Sequence, residues 1–174
     1  MKKILSCLFL AAILLFSSHT VKSQWTSDAS QNTLVYQASG DQVLPRVVTH
    51  HSGYTYVGWF SLTEGNYNVR LQLYNRDGYP QFGEMGLLVS SHTSMSWITD
   101  WDMIVDTDTT AILTFQDIRN GPNNVFAYRI SRQGDFLWGE NGVRLSDNND
   151  LEAAPRAVQT HAGNYVIAWI QATT

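Results

Sequence analysis

A unit of about 55 residues recurs along this chain, and that recurrence restricts its possible folds more than any single motif. The segments Tyr56-Val57-Gly58-Trp59-Phe60, Ile112-Leu113-Thr114-Phe115-Gln116 and Val166-Ile167-Ala168-Trp169-Ile170 are equivalent, stepped by 56 and then 54 residues. Residues 68–90 align without a gap on 124–146. They share Asn68/Asn124, Val69/Val125, Arg76/Arg132, Gly78/Gly134, Gly83/Gly139, Glu84/Glu140, Gly86/Gly142 and Ser90/Ser146. Three of these pairs are glycines, as expected where a backbone shape is being repeated. A period of this size predicts a propeller or solenoid, in which one unit cannot bury its own apolar faces and stacks on its neighbours.

Four strand-like runs follow one another in each unit. The first covers 46–50, 102–106 and 156–160, and the second 54–61, 109–116 and 164–170. The third covers 69–75 and 125–131, and the fourth 87–90 and 143–146. The second run reads as buried on both faces. One face carries Val57/Leu113/Ile167 with Trp59/Phe115/Trp169, and the other keeps a small residue at Gly58/Thr114/Ala168. A small side chain there implies that a neighbouring sheet or aromatic ring comes close. Short hairpins and almost no helix signal predict an all-β chain of four-stranded antiparallel β-propeller blades.

Counting back from Pro45 as from Pro155 places Thr33-Leu34-Val35-Tyr36 on a fourth strand, so the chain is expected to open with an orphan outer strand. The expected division is a signal peptide at 1–23, the orphan strand and lead-in at 24–44, blade 1 at 45–100, blade 2 at 101–154 and the first half of blade 3 at 155–174. About two and a half blades result, whereas closure takes roughly four to eight. The expectation is an N-terminal fragment whose partners include further blades of the same chain. The innermost run places Arg46, Asp102 and Arg156 at one equivalent position, which predicts Asp102 between two arginines.

Lys2 and Lys3 precede an apolar stretch from Ile4 to Phe16, followed by Val21-Lys22-Ser23. This is the pattern of a secretory signal peptide cleaved before Gln24, and the stretch is shorter than the roughly 20 residues of a spanning helix. All three lysines and Cys7 leave with it. The remainder has eight Arg against fifteen Asp and Glu, a formal charge of −7. Such a chain offers no extended positive field for nucleic acid, is not expected to insert in a membrane after cleavage, and has no cysteine for disulfides. Its expected location is extracellular or on the outer cell surface, with stability coming from packed, aromatic-rich sheets.

The segments 114–121, 124–130, Gly134 and 138–143, reading TFQDIRNG, NVFAYRI, G and WGENGV, resemble a propeller-like repeat with the pattern W-x-D-x-R-x-G, D-I-Y-A-Q-R, G-x-x-x-W and a further glycine. Repeats of this kind occur in large secreted proteins of Gram-negative bacteria that export through the type IX route with a C-terminal sorting domain. The resemblance covers nearly all of the chain after residue 23 and implies export and a repeat architecture, but no activity. Unit one departs from it, with Ser61 and Thr63 where unit two has Asp117 and Arg119.

No nucleophile elbow, phosphate loop or metal-spaced Cys/His cluster is present, so no catalytic residue, cofactor or metal site is assigned. Asp106-Thr107-Asp108 and Asp147-Asn148-Asn149-Asp150 lack the Gly and Glu spacing of a calcium loop and read as solvated turns. His51 and His161 read as repeat-structural. The leading reading is a non-catalytic module that presents loops to a glycan or protein ligand, or serves as a spacer. Loops 61–67, 91–100, 117–123 and 147–154 are expected on one face, with Tyr67, Trp97, Asp117 and Arg119 as candidate binding residues. The alternative is the N-terminal part of a glycan-active hydrolase or lyase on a propeller, and a passive structural repeat is the third reading.

Overall fold

The computed structural model describes residue 28, residues 30–94 and residues 100–173, so the expected signal peptide and Trp97 lie outside the described residues. Sheet I contains β1 (Gln42–Thr49), β2 (Thr55–Thr63), β3 (Asn66–Tyr74) and β4 (Leu87–Ser90) in that order. Sheet II repeats the arrangement with β5 (Asp102–Val105), β6 (Ala111–Asp117), β7 (Asn124–Ile130) and β8 (Val143–Arg144). Sheet III pairs β9 (Leu151–Gln159) with β10 (Tyr165–Ala172). Every pairing is antiparallel, and the described residues are all-β.

One turn design serves five hairpins, at 50–54, 75–79, 106–110, 131–135 and 160–164. In each, the first residue's N–H donates to the fifth residue's carbonyl and the fourth residue's N–H donates to the first residue's carbonyl. The fourth residue adopts positive φ: Gly53, Gly78, Gly134, Gly163 and, in the third hairpin of that set, Thr109 at 63°. This is the three-residue loop with a left-handed bulge residue, a position that glycine fills without steric cost. The first side chain accepts from the turn's own amides. Asn75 Oδ1 takes Asp77 and Tyr79, Asp106 Oδ1 takes Asp108 and Thr110, and Ser131 Oγ takes Gln133 and Asp135. The 75–82 and 131–138 segments are thus ordinary capped hairpins.

The central strands carry the packing. Along β2, Tyr56, Gly58 and Phe60 face sheet II, where Phe60 meets Trp101 edge-on at 5.5 Å and Phe115 at 6.2 Å between ring centroids. A Cβ on Gly58 would stand 2.7 Å from Trp101 Cη2 and 3.1 Å from Met103 Sδ, which explains the small residue seen in the sequence. The Trp101 Nε1–H donates to the Leu44 carbonyl at 2.8 Å. That carbonyl is exposed by a bulge in β1 between Val43 and Arg46, where Leu44 takes positive φ ahead of Pro45. From the other side, Leu113 and Phe115 of β6 complete the cluster, and Phe115 stacks on Tyr128 at 5.3 Å.

Trp59 and Phe115 are buried as the repeat predicts, whereas Trp169 is only half-buried. Its indole donates to Glu152 Oε1 at 3.2 Å, but among the described residues sheet III has two strands to shield it where sheets I and II have four. Residues 33–36 also differ from expectation. They form no strand, because among the described residues no partner offers them a ladder; instead Tyr36 lies on Trp59 at 5.2 Å, with the Arg70 guanidinium above its ring.

Truncation at the centre of the cluster is expected to be costly. Phe115→Ala should destabilise by about 3 to 5 kcal/mol, and Gly58→Ala by about 1 to 3 kcal/mol through overpacking against Trp101. Both are measurable by urea unfolding, and a neutral Gly58→Ala would show that Trp101 is not the wedge described.

Candidate functional site

The loops at one end of the strands are tied to each other. Asn66 Nδ2, at the β2–β3 turn, donates to the carbonyls of Ser91 and His92 at 3.3 and 3.2 Å, and its Oδ1 accepts the Ser94 N–H at 2.9 Å. The Ile118 N–H of the β6–β7 turn donates to the Thr93 carbonyl at 2.9 Å. Asn123 Nδ2 reaches the Glu152 carbonyl at 2.6 Å, and Asn124 Nδ2 the Asn148 carbonyl at 3.2 Å. Hairpin turns and sheet-to-sheet connections therefore share a face, as the repeat anticipates.

Of the four candidate residues, Asp117 and Arg119 are brought together. Arg119 Nε donates to both Asp117 oxygens at 2.9 Å, and Nη2 reaches Asp117 at 2.5 Å and the Tyr128 hydroxyl at 2.9 Å. The guanidinium lies 3.8 Å from the Phe126 ring centroid, and its Nη1 donates to the Asn141 carbonyl at 2.8 Å. Only 9% of the Arg119 side chain and 3% of the Asp117 side chain is exposed, so the pair is an internal clamp on the β6–β7 turn. Tyr67 belongs to sheet I, half-buried against the core, with its N–H donating to Ser94 Oγ at 3.0 Å.

Sheet I solves the same problem with a different residue. Arg70 Nη1 donates to the Met85 carbonyl at 3.0 Å, and Met85 is the repeat equivalent of Asn141. In both sheets a guanidinium caps the carbonyl ahead of a glycine that cannot carry a side chain, since a Cβ on Gly86 or Gly142 would come within 2.9 or 2.6 Å of the facing strand's carbonyl oxygen. Sequence comparison of the units missed this, because Arg70 aligns with Phe126 and not with Arg119. Beside the clamp lies a depression of about 440 Å³ lined by His92, Arg119, Asn120, Phe126, Asn141 and Arg144.

The first strands of the three sheets depart from expectation in one residue. Arg46 and Arg156 do converge on a carboxylate between them, but it is Asp100, which ion-pairs with both. Asp102 instead accepts the Ala157 N–H at 2.9 Å, and no ion pair joins it to either arginine among the described residues. The reason is reach. Asp100 lies in the lead-in ahead of β5, on the line between the arginines, while Asp102 is already in the strand and turned to the backbone of β9. Burial alone would raise the Asp100 carboxyl; the hydrogen bond from Arg156 and the two positive charges outweigh it and leave it below the ordinary value.

At the opposite end, the β5–β6 turn joins all three sheets. The Tyr56 hydroxyl donates to the Thr109 carbonyl at 2.9 Å. Asp106, buried, takes hydrogen bonds from the side chains of Thr110, Arg129 and Tyr165, the last at 2.6 Å from sheet III. Burial pushes the Asp106 carboxyl up, but the Thr110, Tyr165 and Arg129 hydrogen bonds outweigh it and lower it on balance. The Tyr165 hydroxyl, raised by burial and then by Asp106, is pushed up to about 12. Among the described residues, no cluster of three or more His, Cys, Asp or Glu side chains could hold a metal ion, and no helix is long and apolar enough to cross a membrane.

Two outcomes follow. Arg119→Met strands a buried carboxylate and should cost about 3 to 5 kcal/mol, whereas the double change Asp117→Ser with Arg119→Thr, which copies sheet I, should cost less than the single one. A larger cost for the double variant in a mutant cycle would refute the clamp. Second, the stability from Asp106 is complete above the ordinary carboxyl value of about 3.9 and fades as pH falls through its lower folded value. That from Tyr165 is complete below about 10 and fades as pH rises toward its folded value of about 12. Tyr165→Phe should flatten the alkaline limb of a stability profile; an unchanged limb would remove Tyr165 from the seam.

Comparison with family models, with curated proteins and with solved structures finds no match to this chain.

Proposed function

We propose that this chain is a secreted, non-catalytic repeat module whose sheets act as β-propeller blades and whose loop end presents a binding surface to a glycan or protein at the cell exterior. The observation that carries this reading is the use made of the buried carboxylates. Asp106, Asp117 and Glu152 each have their oxygens taken up by hydrogen bonds or ion pairs that join strands, turns or sheets. A carboxylate held in that way makes a poor general acid or base. The acidic charge, the absence of lysine beyond residue 22 and the pattern at residues 2–23 support export and count against nucleic acid as a partner. In this reading Asp117 and Arg119 hold the binding loops in place.

An uncovered apolar face on sheet III supports the blade assignment. Val166 and Ile170, at places where β2 has Tyr56 and Phe60, are 53% and 62% exposed. They continue the face that in sheets I and II is covered by the next sheet, and a further blade would cover them. The second reading, a glycan-active hydrolase or lyase, is favoured by Asp102, a half-buried acid on an innermost strand with no ion-pair partner among the described residues. Incubation of the purified secreted chain with polysaccharides should yield no new reducing or unsaturated ends; turnover that Asp102→Asn abolishes would establish the enzyme instead.

The exposed apolar face has its own expected outcome. The chain alone should self-associate in sedimentation experiments, and Val166→Lys with Ile170→Lys should shift it toward monomer without loss of the sheet circular-dichroism signal. A monomeric parent with a single sharp unfolding transition would count against reading this face as one that stacks on another sheet.

A further inference from the structure

The depression beside the Arg119 clamp has a composition that the fold does not require. Its backbone is that of the equivalent place in sheet I, with the same two turn glycines in Gly83/Gly139 and Gly86/Gly142. The side chains differ. Met85 of sheet I is replaced by Asn141, Leu88 by Arg144 and Glu64 by Asn120. Sheet I is therefore an internal control, showing that this turn and strand fold with apolar or acidic residues at these positions. One edge of Arg144 is structural, since its Nη2 satisfies the buried Asn124 Oδ1, a task that Asn66 performs for Asn68 in sheet I and that Pro122 cannot perform here. Its remaining N–H groups, Asn120 and the Asn141 amide have no such task in the packing.

The donors available are specific. Arg144 Nη2 is held by Asn124 Oδ1 at 2.8 Å and by the exposed Asp147 at 2.6 Å, while among the described residues nothing accepts from its Nε or Nη1. His92 Nε2 meets Asn141 Oδ1 at 3.0 Å; with the histidine as donor, the Asn141 Nδ2 amide remains open toward the cavity. Asn120 is exposed at the rim. A guanidinium edge recognises a carboxylate through paired N–H donors, and amide side chains, which both donate and accept, match hydroxyl groups, which do the same. The floor is Phe126, buried beneath Arg119, so no aromatic face is open to a neutral ring.

We propose that this cleft is a binding site for a carboxylated saccharide, with Arg144 on the carboxylate and His92, Asn120 and Asn141 on adjacent hydroxyls. The volume of about 440 Å³ accommodates one or two sugar units. The chain carries net negative charge, so its long-range field repels an anionic polymer and recognition rests on the local donors. Asp147 is the resident carboxylate that a ligand would displace from Arg144. The proposal rests on the binding-module reading and assigns that module a ligand class.

The test is calorimetric titration of the purified secreted chain with di- and tetragalacturonate, with neutral oligosaccharides of equal length and with an acidic tetrapeptide as comparators. Asn141→Met installs the residue sheet I already tolerates and should fold with an unchanged thermal midpoint. Arg144→Leu also removes the donor to the buried Asn124 Oδ1, so it is titrated well below its own midpoint and beside Arg144→Lys, which keeps a donor there but loses the paired guanidinium edge and should bind galacturonate as weakly. The expected result is galacturonate binding that falls about 10- to 100-fold in Arg144→Leu, falls in Asn141→Met, and tightens in Asp147→Asn. Equal binding of the neutral oligosaccharide, stronger binding of the peptide, or galacturonate binding unaffected by Arg144→Leu would each overturn the assignment. Binding of another ligand at unaltered strength in Arg144→Leu would overturn the cleft and leave the module reading intact; turnover of a bound uronide would overturn the non-catalytic reading and leave the cleft intact.

Discussion

Everything in this chain depends on covering the faces of its central strands. β2 and β6 are buried on both sides, so a single four-stranded sheet would leave a broad, largely hydrophobic surface in water at a cost of about 25 cal/mol per Å². Covering it requires a second sheet at close range, and the contact is made where the backbone permits it. Gly58 admits Trp101, and Trp101 in turn needs an acceptor for its buried indole N–H, which the β1 bulge supplies at Leu44. The bulge, the glycine and the tryptophan form one device spread over two units. Removing any one of them leaves a void, a clash or an unsatisfied donor.

Most of the strands were legible because their signals are local. Period-2 apolar runs, turn glycines and the recurring small residue at 58, 114 and 168 are properties of short windows, and the sheets follow them closely. The turn caps were hidden by chemistry that varies while its function does not: histidine, aspartate, threonine, asparagine and serine all accept turn amides, so no identity marks the position. Asp100 was missed for another reason. Its equivalents Leu44 and Ala154 sit at positive φ in bulges, so this part of the unit differs in backbone, and alignment carries no geometry there. The orphan strand expected at 33–36 rested on counting from Pro155 to Pro45, and counting cannot supply a partner strand.

The charged groups are placed at seams between sheets. Asp100 spans sheets I to III through two arginines, Asp106 gathers Arg129 of its own sheet and Tyr165 of the next, and Glu152 of sheet III accepts the Val125 N–H of sheet II. Half-exposed pairs of the Asp100 type are worth little in stability, about 0 to 1 kcal/mol each. Their directionality is more useful, because apolar sheets slide over one another at small cost, whereas a carboxylate with fixed donors on both sides accepts one register. Seam chemistry thus accounts for the placement of these acids between the sheets.

The two four-stranded sheets also separate what the backbone requires from what varies around it. In both, a guanidinium caps the carbonyl before a compulsory glycine, from β3 in sheet I and from the β6–β7 turn in sheet II. What recurs is the carbonyl that must be satisfied; the residue satisfying it is free to move. Once Arg119 takes over that task in sheet II, the place of Arg70 passes to Phe126, which lies flat under the guanidinium and lowers the floor of the cleft. Beside it stand Asn141 and Arg144, at positions where sheet I carries the exposed Met85 and Leu88. Repetition of the backbone with substitution of its lining is how one fold element can hold a structure together in one copy and present chemistry in the next.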